Sequence, residues 1–257
     1  MIKLKSPLEI EKMRKAAQVV ARTLEALEKS IVPGETSTLD MDRRAEQLLK
    51  EQGAISSFKG YRGYPNTVCI AVNEEVVHGI PTDARIIRSG DVVGIDIGAI
   101  VDGYHGDSAL TVAVGDVSDE ARRLLKATRE ALFRGIAEAR VGNRLSDIGH
   151  AIQAYAEKHG YSVVRDLVGH GIGTDMHEDP QVPNFGRAGR GVVLQEGMTL
   201  AIEPMVNAGT FEVIALDDRW TIVTADGKLS AHFEHTVAVT ADGPDILTLR
   251  SEEGARL

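Results

Sequence analysis

The chain has 257 residues, 43% of them hydrophobic and 26% charged, with a formal net charge of −9. It can bury a substantial core, and without a long basic run its composition offers nothing to nucleic acid or to an anionic membrane. The single cysteine, Cys69, excludes an intrachain disulfide framework and suits a reducing compartment. The stretch from Met1 to Pro7 is too poor in apolar residues for a secretory signal, and no 18-residue apolar span follows. The expected location is therefore the cytoplasm.

Ser6-Pro7-Leu8-Glu9 is a helix start, with Ser at the N-cap, Pro at the first helical position and Glu placed to close a capping box. Ile10, Met13, Ala17, Val20, Leu24 and Leu27 follow at helical spacing, and Pro33-Gly34 ends the element. A second helix is predicted from near Thr38 to Gly53. Ser57 to Pro81 reads as strands and loops. Gly94 to Ser108 then reads as a β-hairpin turning on Asp102-Gly103. That turn sets Gly98 opposite Asp107 and Ala109 opposite Asp96. The two acids become diagonal neighbours on one face, about 7–8 Å apart at the backbone.

A similar order of elements follows. Ser118-Asp119-Glu120 opens a helix running to about Arg140, with acids at the positive end of its dipole. A shorter helix runs from about Ser146 to His159-Gly160. After a glycine-rich loop come predicted strands at Met198–Pro204 and Ala231–Val239. The spacings of the halves agree: Gly53 to Asp96 and Gly160 to Glu203 are both 43 residues. The tetrapeptide Thr111-Val112-Ala113-Val114 recurs as Thr236-Val237-Ala238-Val239, just after Asp107 and Glu234 respectively. The main departure is an insertion around Ala208–Gly227 that carries the only tryptophan, Trp220. The chain reads as a helix–helix–sheet unit used twice, with acids converging at a pseudo-two-fold axis.

Any one of Asp96, Asp107, Glu203 and Glu234 alone reads as a solvated strand residue. Four at matched places among apolar neighbours, with no Lys or Arg beside them, need cations, and two divalent ions would balance them. Gly169-His170-Gly171-Ile172-Gly173 lacks the Gly-Lys-Ser/Thr ending of a phosphate loop, and His170 and His177 miss the helical i, i+4 zinc pair. Glycines around His170 let backbone approach closely. One of these two histidines is then a candidate ligand and the other a candidate donor to substrate. His78, between Val77 and Gly79 in a loop, is a further candidate.

In combination, Tyr64 to Pro81, Asp96-Ile97-Gly98, Asp107, Gly169 to Gly173, His177-Glu178-Asp179-Pro180, Ala201-Ile202-Glu203-Pro204 and Glu234-His235-Thr236 resemble the methionine aminopeptidases of bacterial type I. The resemblance covers nearly the whole chain. It implies an α/β (α+β) pita-bread fold with internal pseudo-two-fold duplication, an antiparallel sheet at the centre and helices outside. It implies a single catalytic domain, 1–257, in halves of roughly 1–115 and 116–257. It further implies two divalent ions (Co, Mn, Fe or Zn): Asp96 on one, His170 and Glu203 on the other, Asp107 and Glu234 bridging. A water activated by both ions would attack the carbonyl after an N-terminal methionine. Glu203 would move the proton, His177 would stabilise the oxyanion, and His78 would contact the substrate amide.

By the same resemblance the methionine pocket falls at Tyr61, Tyr64, Cys69, Met176 and Trp220. Met176 stands where many relatives carry an aromatic residue, and Phe58 where some carry cysteine. A monovalent cation near Asn73 and Glu75 belongs to the same expectation. So do nascent polypeptide N-termini as partners, with contact at the ribosome, a monomeric state and a small uncharged second residue in the substrate. Proline-directed peptidases of the same fold carry an additional N-terminal domain, which is not expected here because the first helix of the catalytic unit begins at Ser6. A non-catalytic peptide-binding relative would be expected to lose ligands, and all five are present.

Overall fold

A computed structural model describes residues 1–254. The first half runs α1 (Pro7–Ser30), α2 (Thr38–Glu51), β1 (Ile55–Ser56), β2 (Cys69–Val72), β3 (Glu75–Val77), β4 (Val92–Val101) and β5 (Tyr104–Ala113). The second opens with α3 (Asp119–Ala137), α4 (Leu145–Lys158), β6 (Ser162–Val163), β7 (Gly169–Gly171), β8 (Glu178–Val182) and β9 (Thr199–Ile202). It continues with β10 (Met205–Asn207), β11 (Val213–Ala215), β12 (Ile222–Thr224), β13 (Ser230–His232), β14 (His235–Thr240), β15 (Gly243–Ile246) and α5 (Ser251–Gly254).

Local chemistry sets the helix starts. Ser6 Oγ accepts the Glu9 amide while the Glu9 carboxylate accepts the Ser6 amide at 2.8 Å, and Pro7 begins α1 where its missing N–H costs nothing. Ser37 and Asp40 repeat the device on α2. Met13, Ala17, Val20, Leu24 and Leu27 bury one face of α1 against β4 and β5, and α3 packs on α4. Leu24, Ile95, Leu132 and Leu200, drawn from both halves, lie fully buried in one continuous core. Burying each such side chain stabilises the fold by about 1.5–3 kcal/mol.

β4 and β5 pair over ten residues each, with Val101 opposite Tyr104, Gly98 opposite Asp107 and Asp96 opposite Ala109. The turn residues Asp102 (φ 52°) and Gly103 (φ 81°) both take the left-handed conformation that a two-residue hairpin turn requires. β4 also pairs with β1 and β2, giving a four-stranded antiparallel sheet. The second half supplies the order β15-β14-β9-β7-β8. The insertion forms the β11–β12 hairpin, which pairs with β3 of the first half.

The halves are stitched where β5 meets β13 and β14. Ser108 Oγ donates to the Glu234 carbonyl at 2.6 Å, Thr111 Oγ1 donates to the His232 carbonyl at 2.7 Å, and the Glu234 amide donates to the Ala109 carbonyl at 3.0 Å.

Some boundaries differ from the sequence reading. α3 stops at Ala137, where Glu138 caps it, short of Arg140. The run Met198–Pro204 ends as a strand at Ile202, because Pro204 has no N–H for the ladder. The run Ala231–Val239 splits at Phe233-Glu234, because the Glu234 amide leaves its own sheet to reach β5. Glu203 and Glu234 therefore sit in strand breaks, which lets both turn toward the seam between the halves.

Candidate metal centre

Five side chains from separate stretches of the two halves meet in one cavity. Asp96 stands on β4 between Cys69 of β2 and Ala109 of β5. Asp107 stands on β5 and is 3% exposed, and Glu234, after β13, is 2% exposed. Glu203 follows β9. Its Oε1 lies 3.6 Å from His170 Nε2 and its Oε2 3.7 Å from His232 Nε2. His170 is the middle residue of β7. A Cβ at Gly169 would lie 2.3 Å from the Ala201 carbonyl oxygen and one at Gly171 2.2 Å from that of Asp179, so only glycines permit this approach.

His170 Nδ1 lies 2.8 Å from the Gly171 carbonyl oxygen. A carbonyl only accepts, so Nδ1 carries the proton and Nε2 offers a lone pair to the cavity. His177 stands at the rim, its ring 4.2 Å from that of His170 and its Nδ1 2.8 Å from the Tyr61 hydroxyl. His78, at φ 59°, meets Trp220 edge-on at 6.5 Å.

Phe58, Tyr64, Cys69 and Met176 form a buried apolar cluster with Tyr61 and Trp220 packed against it. Tyr64 meets Trp220 edge-on at 5.0 Å. This cluster, the three histidines and Asp96, Asp107, Glu203 and Glu234 line a single cavity of about 150 Å³. The expected metal ligands, the two substrate histidines and the expected methionine-pocket residues all line this cavity, whereas Asn73 and Glu75 do not.

The electrostatics are those of uncompensated acids. Burial, then repulsion from Asp107 and Glu203, holds Asp96 well above the usual carboxylate range. Burial, then repulsion from Asp107, does the same for Glu203 and Glu234, and burial pushes Asp107 up to about 7. Burial lowers His170 to about 4 and His177 to about 3, so both imidazoles are neutral, and the His170 Nε2 lone pair is free for a metal. Asp96 Oδ1, Asp107 Oδ1 and Glu234 Oε1 are buried and have no hydrogen-bond partner. Donor atoms of Asp107, His170 and Glu234 lie within 4.8 Å of one another. Carboxylate oxygens with one imidazole nitrogen suit a divalent ion of the Mn–Zn series, so the residues present fit a metal.

The chain matches the description Metallopeptidase family M24 over residues 11–241. The chain belongs to metallopeptidase family M24. This peptidase is 55% identical over 249 residues to a protein of Clostridium acetobutylicum named methionine aminopeptidase, covering 97% of this chain and 99% of that one. It is 55% identical over 248 residues to methionine aminopeptidase 1 of Bacillus subtilis, covering 96% and 99%. The crystal structure of a methionine aminopeptidase from Thermotoga maritima superposes with a TM-score of 0.95 at 47% identity, over 96% of this chain and 99% of that one. The duplicated helix–helix–sheet plan of the M24 peptidase is the pita-bread fold, and its kinship with type I methionine aminopeptidases runs the length of the chain.

Sequence reasoning did not single out two residues of this site. His232 is buried, and burial lowers it to about 3. Its period-two relation to Glu234 in Ala231-His232-Phe233-Glu234 was the available signal. Arg62 lines the cavity and lies over the Tyr61 ring at 5.4 Å. Its left-handed backbone (φ 49°) gives no sequence signal. At Asn73 the carbonyl accepts the Ser230 amide at 2.9 Å, and Glu75 Oε2 accepts the Val72 amide at 2.8 Å. No helix among the described residues is long and apolar enough to cross a membrane.

Proposed function

We propose that this chain is a methionyl aminopeptidase that removes the N-terminal methionine from nascent polypeptides with a small uncharged second residue, using two divalent ions. The observation that carries this reading is the convergence of five ligand-type side chains on one cavity that the apolar cluster of Phe58, Tyr64, Cys69 and Met176 also lines. Asp96 would hold one ion, His170 and Glu203 the other, and Asp107 and Glu234 both. When bound, the ions supply Lewis-acid polarisation of the scissile carbonyl and a water acidic enough to ionise near neutral pH.

The remaining work falls to the chain's own groups. Glu203, largely enclosed and facing His232, accepts the proton from the attacking water and passes it to the leaving amine. The Tyr61 hydroxyl donates to His177 Nδ1, which leaves the ring proton on Nε2 for the carbonyl oxygen as its charge develops. His78 contacts the substrate amide. Tyr61, Tyr64, Cys69, Met176 and Trp220, with Phe58, hold the methionine side chain, whose thioether gains from aromatic edges. The protein acts as one catalytic domain and as a monomer, in the cytoplasm.

Metal-reconstituted enzyme offered peptides beginning Met-Ala, Met-Lys and Xaa-Pro tests this directly. Methionine release from the Met-Ala peptide alone is expected. Cleavage confined to the Xaa-Pro set contradicts the specificity.

A further inference from the structure

We infer that Lys5, on the segment ahead of α1, is a positioning residue that holds the loop bearing Met176 and His177 against the cavity. The inference rests on the reading that His177 faces the substrate.

Lys5 is buried, which a lysine is only when paired. Its ammonium is ion-paired with the Glu178 carboxylate, and their side chains are 5% and 3% exposed. Lys5 Nζ also donates to the Lys3 carbonyl at 3.1 Å, and the Lys5 amide donates to the Gly197 carbonyl at 2.7 Å. That second bond ties the segment to the turn leading into β9. Glu178 Oε1 accepts the Asp175 amide at 3.3 Å, and Lys3 Nζ bonds Asp175 Oδ2 at 2.7 Å.

The loop lies directly on this pair. A Cβ at Gly173 would stand 2.5 Å from Lys5 Cε and 2.6 Å from Glu178 Oε1. The Gly173 carbonyl accepts the His105 amide of β5 at 2.8 Å. His177 is thus fixed from two sides, through its neighbour Glu178 by Lys5 and through its ring by Tyr61. Neither Lys5 nor Glu178 lines the cavity. Removing the ammonium leaves the buried Glu178 carboxylate only the half-exposed Lys3 ammonium, 3.6 Å from Oε1, to offset its charge. The loop then relieves that charge by moving it toward water, and His177 moves with it. A displacement of about 1 Å in a positioned group can cost about 100-fold in rate.

The test is a kinetic cycle on manganese-loaded enzyme with a Met-Ala-Ser peptide, using Lys5→Met, Lys5→Arg, His177→Ala and the Lys5→Met/His177→Ala pair. Lys5→Met is expected to lower kcat about 10- to 100-fold, with bound metal unchanged, and Lys5→Arg to restore most of the loss. In the His177→Ala background Lys5→Met should change kcat by less than about 2-fold, since interacting residues are not additive. An equal loss in both backgrounds, a loss that follows metal content, or no loss in the folded single variant overturns the inference. If Lys5→Met does not fold, Glu178→Gln, which removes the other charge, runs the same cycle, and the same three results overturn the inference. Failure of the wild-type enzyme to release methionine would instead overturn the underlying functional reading, whatever Lys5 does.

Discussion

Thr236 Oγ1 accepts the Asp107 amide at 3.1 Å and donates to the Asp107 carbonyl oxygen at 2.8 Å. One hydroxyl from the second half therefore clasps the backbone of an acid from the first. Thr236→Val keeps the β-branched shape and deletes both bonds, leaving buried main-chain groups unpaired at a cost of about 1–3 kcal/mol. Thermal unfolding should show Tm lower by several degrees, with weaker metal binding because Asp107 loses its fixed register.

Asp107→Asn should act in opposite directions with and without metal. In the metal-free protein, four closely grouped acids repel one another, and removing one of them relieves that repulsion. Calorimetry after chelation should therefore show a higher Tm for the variant than for wild type. With metal added, wild type gains stability by linkage, by about 2.7 kcal/mol at a hundredfold excess over Kd. The variant should gain much less.

His177→Ala should lower kcat by about 10²–10³-fold, the usual loss for an oxyanion donor. Its metal content should stay at the wild-type level, because His177 stands beyond the His170 ring. Tyr61→Phe, which removes only the orienting hydroxyl, should fall between wild type and His177→Ala. Steady-state kinetics with metal analysis of the same samples checks both.

Glu253 supplies the pH dependence. Burial works to raise this carboxyl, but contact with His235 Nε2 at 3.3 Å and the Arg250 guanidinium at 2.7 Å outweigh it and hold it well below its usual range. A carboxylate depressed in the folded state binds fewer protons there than in the unfolded chain. Its stabilisation is full above the ordinary value of about 4.3 and is lost as pH falls below it. Urea midpoints from pH 7 to 3 should show Glu253→Gln less stable at neutral pH and less steeply weakened by acid than wild type.

Local signals were legible where neighbours in sequence satisfy one another, as in the Ser6–Glu9 capping box and the Asp102-Gly103 turn. The acids were legible because the unit is used twice, so Glu203 and Glu234 could be matched to Asp96 and Asp107. The strand breaks beside Glu203 and Glu234 were not, because a β-rich run does not reveal that one amide pairs with a distant strand. Arg144 as the cap of α4 was missed for a related reason. Its amide bonds the Asp147 carboxylate at 2.7 Å, whereas Ser146 two residues on has the more familiar capping side chain. The pairing of Lys5 with Glu178 spans 173 positions, and only the folded chain brings them together.

The most direct test of the metal centre titrates manganese into chelator-stripped wild type and Asp107→Ala, following bound metal and methionine release from Met-Ala-Ser together. Wild type should bind two ions per chain as activity appears, while Asp107→Ala should lose tight binding and activity in step. An Asp107→Ala protein with full activity and two tightly bound ions would contradict the account.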